Sequence, residues 1–151
     1  VVDLSDITVK SLDLAADDLT RAGVSVISDL PATSVYALGG RVRLEQVVLN
    51  LISNAIDAMQ HVEHKQLTVS LTANNNQVRL LIGDTGSGIT DLDRVFEPFY
   101  TTKELGASKG MGMGLALSYG IVTRFGGQLS CANTDAGAEF TMTLPLSETA
   151  A

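Results

Sequence analysis

The segment from Arg43 to Met59, R-L-E-Q-V-V-L-N-L-I-S-N-A-I-D-A-M, constrains this chain more than any other. Leu44, Val47, Val48, Leu51, Ala55 and Met59 recur at the three-and-four spacing of one helical face, which places the segment against a core. Gln46, Asn50, Asn54 and Asp57 form a second stripe beside the apolar one. An Asn side chain competes for backbone hydrogen bonds, so two of them four residues apart in mid-helix need a reason. A carboxamide oxygen on a rigid helix suits a hard cation such as magnesium where a phosphate sits nearby. A polar face that merely carries two Asn fits the same spacing.

A chain of 151 residues, 45% hydrophobic and 18% charged, is long enough for one domain with a real core and too short for two. The formal net charge of −7 argues against a nucleic-acid footprint, because phosphate backbones are bound through clustered Lys and Arg. An anionic ligand would need local help from backbone amides, a lysine or a metal. The sequence has no apolar run near the ~18 residues of a spanning helix and no basic-then-apolar leader, so this piece is not expected in a membrane. One cysteine, Cys131, leaves no internal disulfide and fits a reducing compartment; its place in a predicted strand makes it a packed, inert thiol. The opening Val-Val-Asp, without an initiating Met, is expected of a fragment cut from a longer protein.

In chain order, Val1 to Leu4 reads as a short strand, and Ser5 or Asp6 as the cap of a helix carrying Ile7, Leu12, Leu14, Ala15 and Leu19 up to Ala22. Gly23 stops it. Val24 to Asp29 and Ser34 to Ala37 read as strands, with Gly39-Gly40 before the Asn helix. Leu67, Val69 and Leu71 alternate with polar residues, as do Val78, Leu80 and Ile82, and Asn74-Asn75-Asn76 supplies the hairpin turn. Residues 83–112 form a long Gly-, Thr- and Ser-rich stretch of the kind that makes a lid or binding loop. Met113 to Phe125 is predicted as a second buried helix, ended by Gly126-Gly127, and Gln128 to Asn133 and Glu139 to Leu146 as the last strands. These elements combine into a two-layer α/β sandwich, a mixed β-sheet with about three helices on one face.

Three stretches carry chemistry. Asp84-Thr85-Gly86-Ser87-Gly88-Ile89 delivers a carboxylate into a turn whose glycines let a flat ligand approach the backbone. An ionised Asp84 is acceptor-only and suits an exocyclic amino group such as that of adenine, although an ordinary acidic turn has the same form. Gly110-Met111-Gly112-Met113-Gly114 leads into a helix at Leu115-Ala116-Leu117, which leaves unpaired N–H groups as an anion site. Neither the Walker nor the Rossmann spacing is met, and the protein-kinase motif set is absent. Between them Val95-Phe96-Glu97-Pro98-Phe99-Tyr100-Thr101-Thr102-Lys103 places three aromatics in a loop, expected to close over a ligand or dock on a partner, and Lys103 within reach of a terminal phosphate. A solvated lysine is the plain alternative.

Taken in order, Asn50/Asn54, Asp84-x-Gly-x-Gly, Phe96-x-Pro-Phe99 and Gly110-x-Gly-x-Gly114 resemble the N, G1, F and G2 boxes of sensor histidine kinases, within the gyrase, Hsp90, histidine-kinase and MutL superfamily. The E-P-F-Y-T-T-K form is similar to the nitrogen-regulatory and dicarboxylate-sensing subgroup. The resemblance implies a Bergerat-type ATP-binding fold, with ATP and Mg2+ as cofactors. It implies that Asn54 ligates magnesium, Asp84 reads adenine, and Gly86, Gly88 and Ile89 shape the purine pocket. Phe99, Thr102 and Lys103 belong by the same resemblance to the lid side, and Gly110, Gly112, Met113, Gly114 and Leu115 to the phosphate side. The connection Ile89-Thr90-Asp91-Leu92 is tighter than the resemblance leads one to expect.

The gyrase and Hsp90 branches carry a water-activating Glu four residues before the metal-binding Asn, whereas this chain has Asn50, which is no general base at neutral pH. The expected reaction is therefore transfer to a histidine on a separate helical dimerisation domain, with a response regulator downstream, rather than hydrolysis. His61 and His64 lie outside the His-Glu-x-x-x-x-Pro context of such an acceptor and are expected to be solvated. The chain should not phosphorylate itself, should be monomeric, and should lie on the cytoplasmic side of a sensor. A free-standing ATPase of the same fold and a degenerate nucleotide-binding or docking module are the competing functions.

Overall fold

The structure, a computed structural model, describes residues 1–74, 76–97 and 114–147. Its elements are β1 (Val2–Asp3), α1 (Leu4–Ala22), β2 (Ser25–Asp29), β3 (Tyr36–Ala37), α2 (Arg41–Ala58), β4 (Gln66–Ala73), β5 (Gln77–Asp84), α3 (Gly114–Arg124), β6 (Gln128–Asn133) and β7 (Ala138–Ser147). They build the mixed α/β sandwich that the sequence predicts. The seven-stranded sheet runs β1-β3-β7-β5-β4-β2, with β6 pairing on β7. The β2–β4 pair is parallel and the other pairs are antiparallel.

The apolar face of α2 is legible residue by residue: Leu44, Val47, Val48, Leu51, Ala55 and Met59 are all at most 2% exposed. On the sheet, Leu67, Val69 and Leu71 of β4, Val78, Leu80 and Ile82 of β5, and Phe140, Met142 and Leu144 of β7 meet that face, as period-two alternation requires. β2 differs, since all five of its residues are exposed at the sheet edge.

Element ends depart from the sequence reading where local chemistry prevails. The cap of α1 is Asp3, whose carboxylate accepts from Asp6 N at 3.0 Å, so neither Ser5 nor Asp6 serves. Leu4 is already helical and fully buried, and that burial draws the helix back to it. Gly23 closes α1 in the left-handed region at φ 75, which costs a glycine little. α2 begins two residues before the expected Arg43. Val42 is 77% exposed and breaks the apolar pattern, yet Arg41 is held by Asp6 on α1 at 2.6 Å and by Glu45 at 3.5 Å. Leu14, one of the apolar residues that this helix carries, is 66% exposed. In α3, Ser118 and Val122 are the buried residues, so this helix is less enclosed than predicted, and Met113 lies outside the described residues.

Candidate functional site

The stripe Asn50, Asn54, Ala58 on α2 organises the candidate site, because its two ends touch the first turns of α3 and the glycine turn that follows β5. At one end, Asn50 Nδ2 donates to Ser118 Oγ at 3.2 Å and lies 3.5 Å from Gly114 O, in the first turns of α3. At the other, Ser87 N donates to Ala58 O at 3.2 Å. A Cβ on Gly86 would lie 2.9 Å from Ala58 Cβ and 2.7 Å from the Ala58 carbonyl carbon, so only glycine fits there. Asn54 sits one turn, about 6 Å of helix rise, from each contact. Its side chain is half-buried and makes no hydrogen bond among the described residues.

β5 carries Asp84 into the same space. The side chain is 5% exposed and its Oδ1 accepts from Gly86 N at 2.8 Å. Burial pushes this carboxyl above the usual range, and the backbone amides of Gly86 and Ala138 oppose that only in part. Gly88 takes φ 84, a left-handed turn suited to glycine. Ile89 follows, its backbone tied to Asn133 at the end of β6. Leu115, in the first turn of α3, packs half-buried against the core.

Residues the sequence reading passed over also build the turn. Thr85 Oγ1 donates to His64 O at 2.6 Å and accepts from Gln66 N at 3.0 Å, which ties the turn to the α2–β4 connection. Gly137 backs onto Asp84 from the other side, where a Cβ would stand 2.9 Å from Asp84 Oδ1 and 2.7 Å from Gly86 N. The run Asn133-Thr134-Asp135-Ala136-Gly137 carries ordinary turn residues, and that signal could have pointed to a turn but not to what it touches.

Phe96 is half-buried, its ring packing on Tyr119 of α3 at 5.1 Å and edge-on to Phe140 of β7 at 6.2 Å. Asp91 to Glu97 makes two successive turns, Arg94 N to Asp91 O and Glu97 N to Arg94 O. His61 and His64 are exposed, as expected, and Cys131 is half-buried with its thiol pushed up by burial. Phe99, Thr102, Lys103, Gly110, Gly112 and Met113 lie outside the described residues.

This geometry has known counterparts. Residues 39–148 match the family described as histidine kinase-, DNA gyrase B- and HSP90-like ATPases. The chain belongs to that family. Within it, this histidine kinase-like ATPase domain is 36% identical to the two-component sensor PprA of Pseudomonas aeruginosa over 90% of the chain, and 37% identical to the C4-dicarboxylate transport sensor protein DctB of Rhizobium meliloti over 77%. It spans 15% and 18% of the length of those two proteins. The full-length structure of ShkA in complex with AMPPNP superposes with a TM-score of 0.83 at 24% identity, over 99% of this chain and 31% of that one, which shows the shared fold. The domain is thus an ATP-binding fold of the two-component sensor kinases.

A magnesium ion fits the residues present. Among the described residues, no group of three or more His, Cys, Asp or Glu could form a metal cage. Magnesium keeps waters and phosphate oxygens and takes one or two protein oxygens, so a single carboxamide such as that of Asn54, without a hydrogen bond among the described residues, would be an adequate donor.

Proposed function

We propose that this domain binds Mg-ATP between α2 and the Asp84 turn and donates the γ-phosphoryl group to a histidine on a separate helical dimerisation domain of a longer sensor kinase. The observation that carries this reading is the α2 stripe: Asn50 against the α3 N-terminus, Ala58 against Gly86, and the half-buried Asn54 between them, its amide without a hydrogen bond among the described residues. Asp84 accepts the adenine amino group, with Gly86, Gly88 and Ile89 forming the purine wall. Phosphates would lie at the N-terminal end of α3, where the helix dipole favours negative charge and Gly114 and Leu115 begin the helix; Gly110, Gly112 and Met113 precede it in sequence and would add backbone amides.

Magnesium, when bound, would neutralise charge on the phosphates, and Asn54 would hold it. Lys103 would meet the terminal phosphate, and Phe99 and Thr102 would close the lid side. Water is not activated from within. Asn50 offers no base, and its amide nitrogen is committed to Ser118 and Gly114. Phosphoryl transfer asks mainly for positioning and charge neutralisation, both of which this arrangement provides. The relative named as a two-component sensor and the same fold solved with AMPPNP support the reading. A response regulator would then take the phosphoryl group onward. No helix of the described residues is long and apolar enough to cross a membrane; the domain would work on the cytoplasmic side of the parent sensor.

The test adds a separately made histidine-containing helical domain, ATP and magnesium, and follows phosphate on the histidine. Transfer is expected with the parent chain and should fall at least ~100-fold with Asn54→Ala. Transfer that survives this substitution would remove Asn54 from the mechanism. Release of inorganic phosphate by the chain alone at a similar rate would mark it as an ATPase instead.

A further inference from the structure

We propose that Asn133 is the positioning residue of the purine end, holding Gly88 and Ile89 in the shape that receives the base. This rests on the nucleotide-binding reading above. Asn133 is the last residue of β6, 44 positions from Ile89, and its side chain grips both polar groups of one peptide segment. Oδ1 accepts from Ile89 N at 2.6 Å and Nδ2 donates to Ile89 O at 3.0 Å. That two-point pairing imitates a strand rung at a place where the chain has no strand.

Gly88 next to it is consistent with a fixed conformation. Its φ is 84, and a Cβ there would stand 3.0 Å from Asn133 Oδ1, so glycine lets the amide come close. On its other flank the same β6–β7 turn presses Gly137 against Asp84 and Gly86. The turn is itself closed by Thr134 N to Gly137 O at 2.8 Å and Gly137 N to Thr134 Oγ1 at 3.0 Å. An open, polar cavity of about 260 Å³ lies between the two turns, lined by Gly86, Gly88, Ile89, Asn133, Thr134 and Gly137. Water has access there, so Ile89 would be solvated and free to shift if the amide were removed. Affinity would then fall, since ordering a loop upon binding opposes the binding it serves.

The purine is common to every adenine nucleotide, so a defect here weakens them equally. Asn133→Ala is expected to raise the dissociation constants for ADP and for Mg-AMPPNP by the same factor, at least ~5-fold by calorimetric titration. Asn133→Asp keeps the acceptor for Ile89 N and loses the donor, so it should fall between the parent and the alanine variant, and it serves if the alanine variant does not fold. Hydrogen exchange at the Ile89 amide should speed up in the alanine variant, which a general loss of stability would spread over the sheet. Affinities within twofold of the parent in both variants would overturn the proposal. So would a loss confined to Mg-AMPPNP, which would point to the phosphate end. If the unsubstituted chain binds neither nucleotide, the nucleotide-binding reading fails first, a result distinct from either of these.

Discussion

Asp84 is the residue whose chemistry depends most on where the fold puts it. Burial raises its carboxyl pKa, and the amides of Gly86 and Ala138 recover only part of the shift, so the folded chain holds this proton more tightly than the unfolded one. The stability this contributes is fully present below the ordinary carboxylate range and is lost as pH rises through the elevated native value. Urea unfolding of the parent and Asp84→Asn should therefore show the parent relatively more stable at acid pH than at neutral pH. A difference that does not change with pH would contradict the role of burial. Nucleotide affinity should move the other way, strengthening as the ionised acceptor forms. The motif Asp84-x-Gly-x-Gly gave the identity of this residue from sequence, but its 5% exposure comes from Gly137 and β7, more than fifty positions away.

Among the elements, α2 spans from the first turns of α3 to the glycine turn after β5, and its bond to α3 fixes one of these two ends. Ser118 is one of two buried residues in α3, and Asn50 donates to it at 3.2 Å. Removing Asn50 leaves the fully buried Ser118 hydroxyl without this donor, and removing Ser118 leaves the half-buried Asn50 amide to find water, whereas removing both costs little more. A cycle of Asn50→Ala, Ser118→Ala and the double variant should give a coupling of about 1 kcal/mol in denaturant unfolding. Additive losses would mean that the bond does not join the helices. Periodicity made α2 readable because its apolar residues face the core without interruption. A lone serine in the short apolar run of α3 gave no comparable signal. The start of α2 at Arg41 was likewise hidden, since it depends on Asp6 of another helix.

At the scale of the whole molecule, β7 joins the parts although it comes last. It pairs with β5 along eight positions, with β6 along six, and with β3 at its end. Deleting residues from 138 onward should abolish the cooperative thermal transition seen by circular dichroism, because three strands lose their neighbour at once. A transition that persists would show that the rest of the sheet folds without it. The sequence by itself determined the fold class, the inward faces of α2, β4, β5 and β7, and the glycine turn that follows β5, because periodicity and turn chemistry act over a few neighbouring residues. Only the tertiary structure decided that Phe96 stacks on Tyr119, that Ser118 receives Asn50, and that Asn133 holds Ile89. Each is a contact between segments far apart in the chain, and side-chain geometry across such a gap follows from how the layers pack.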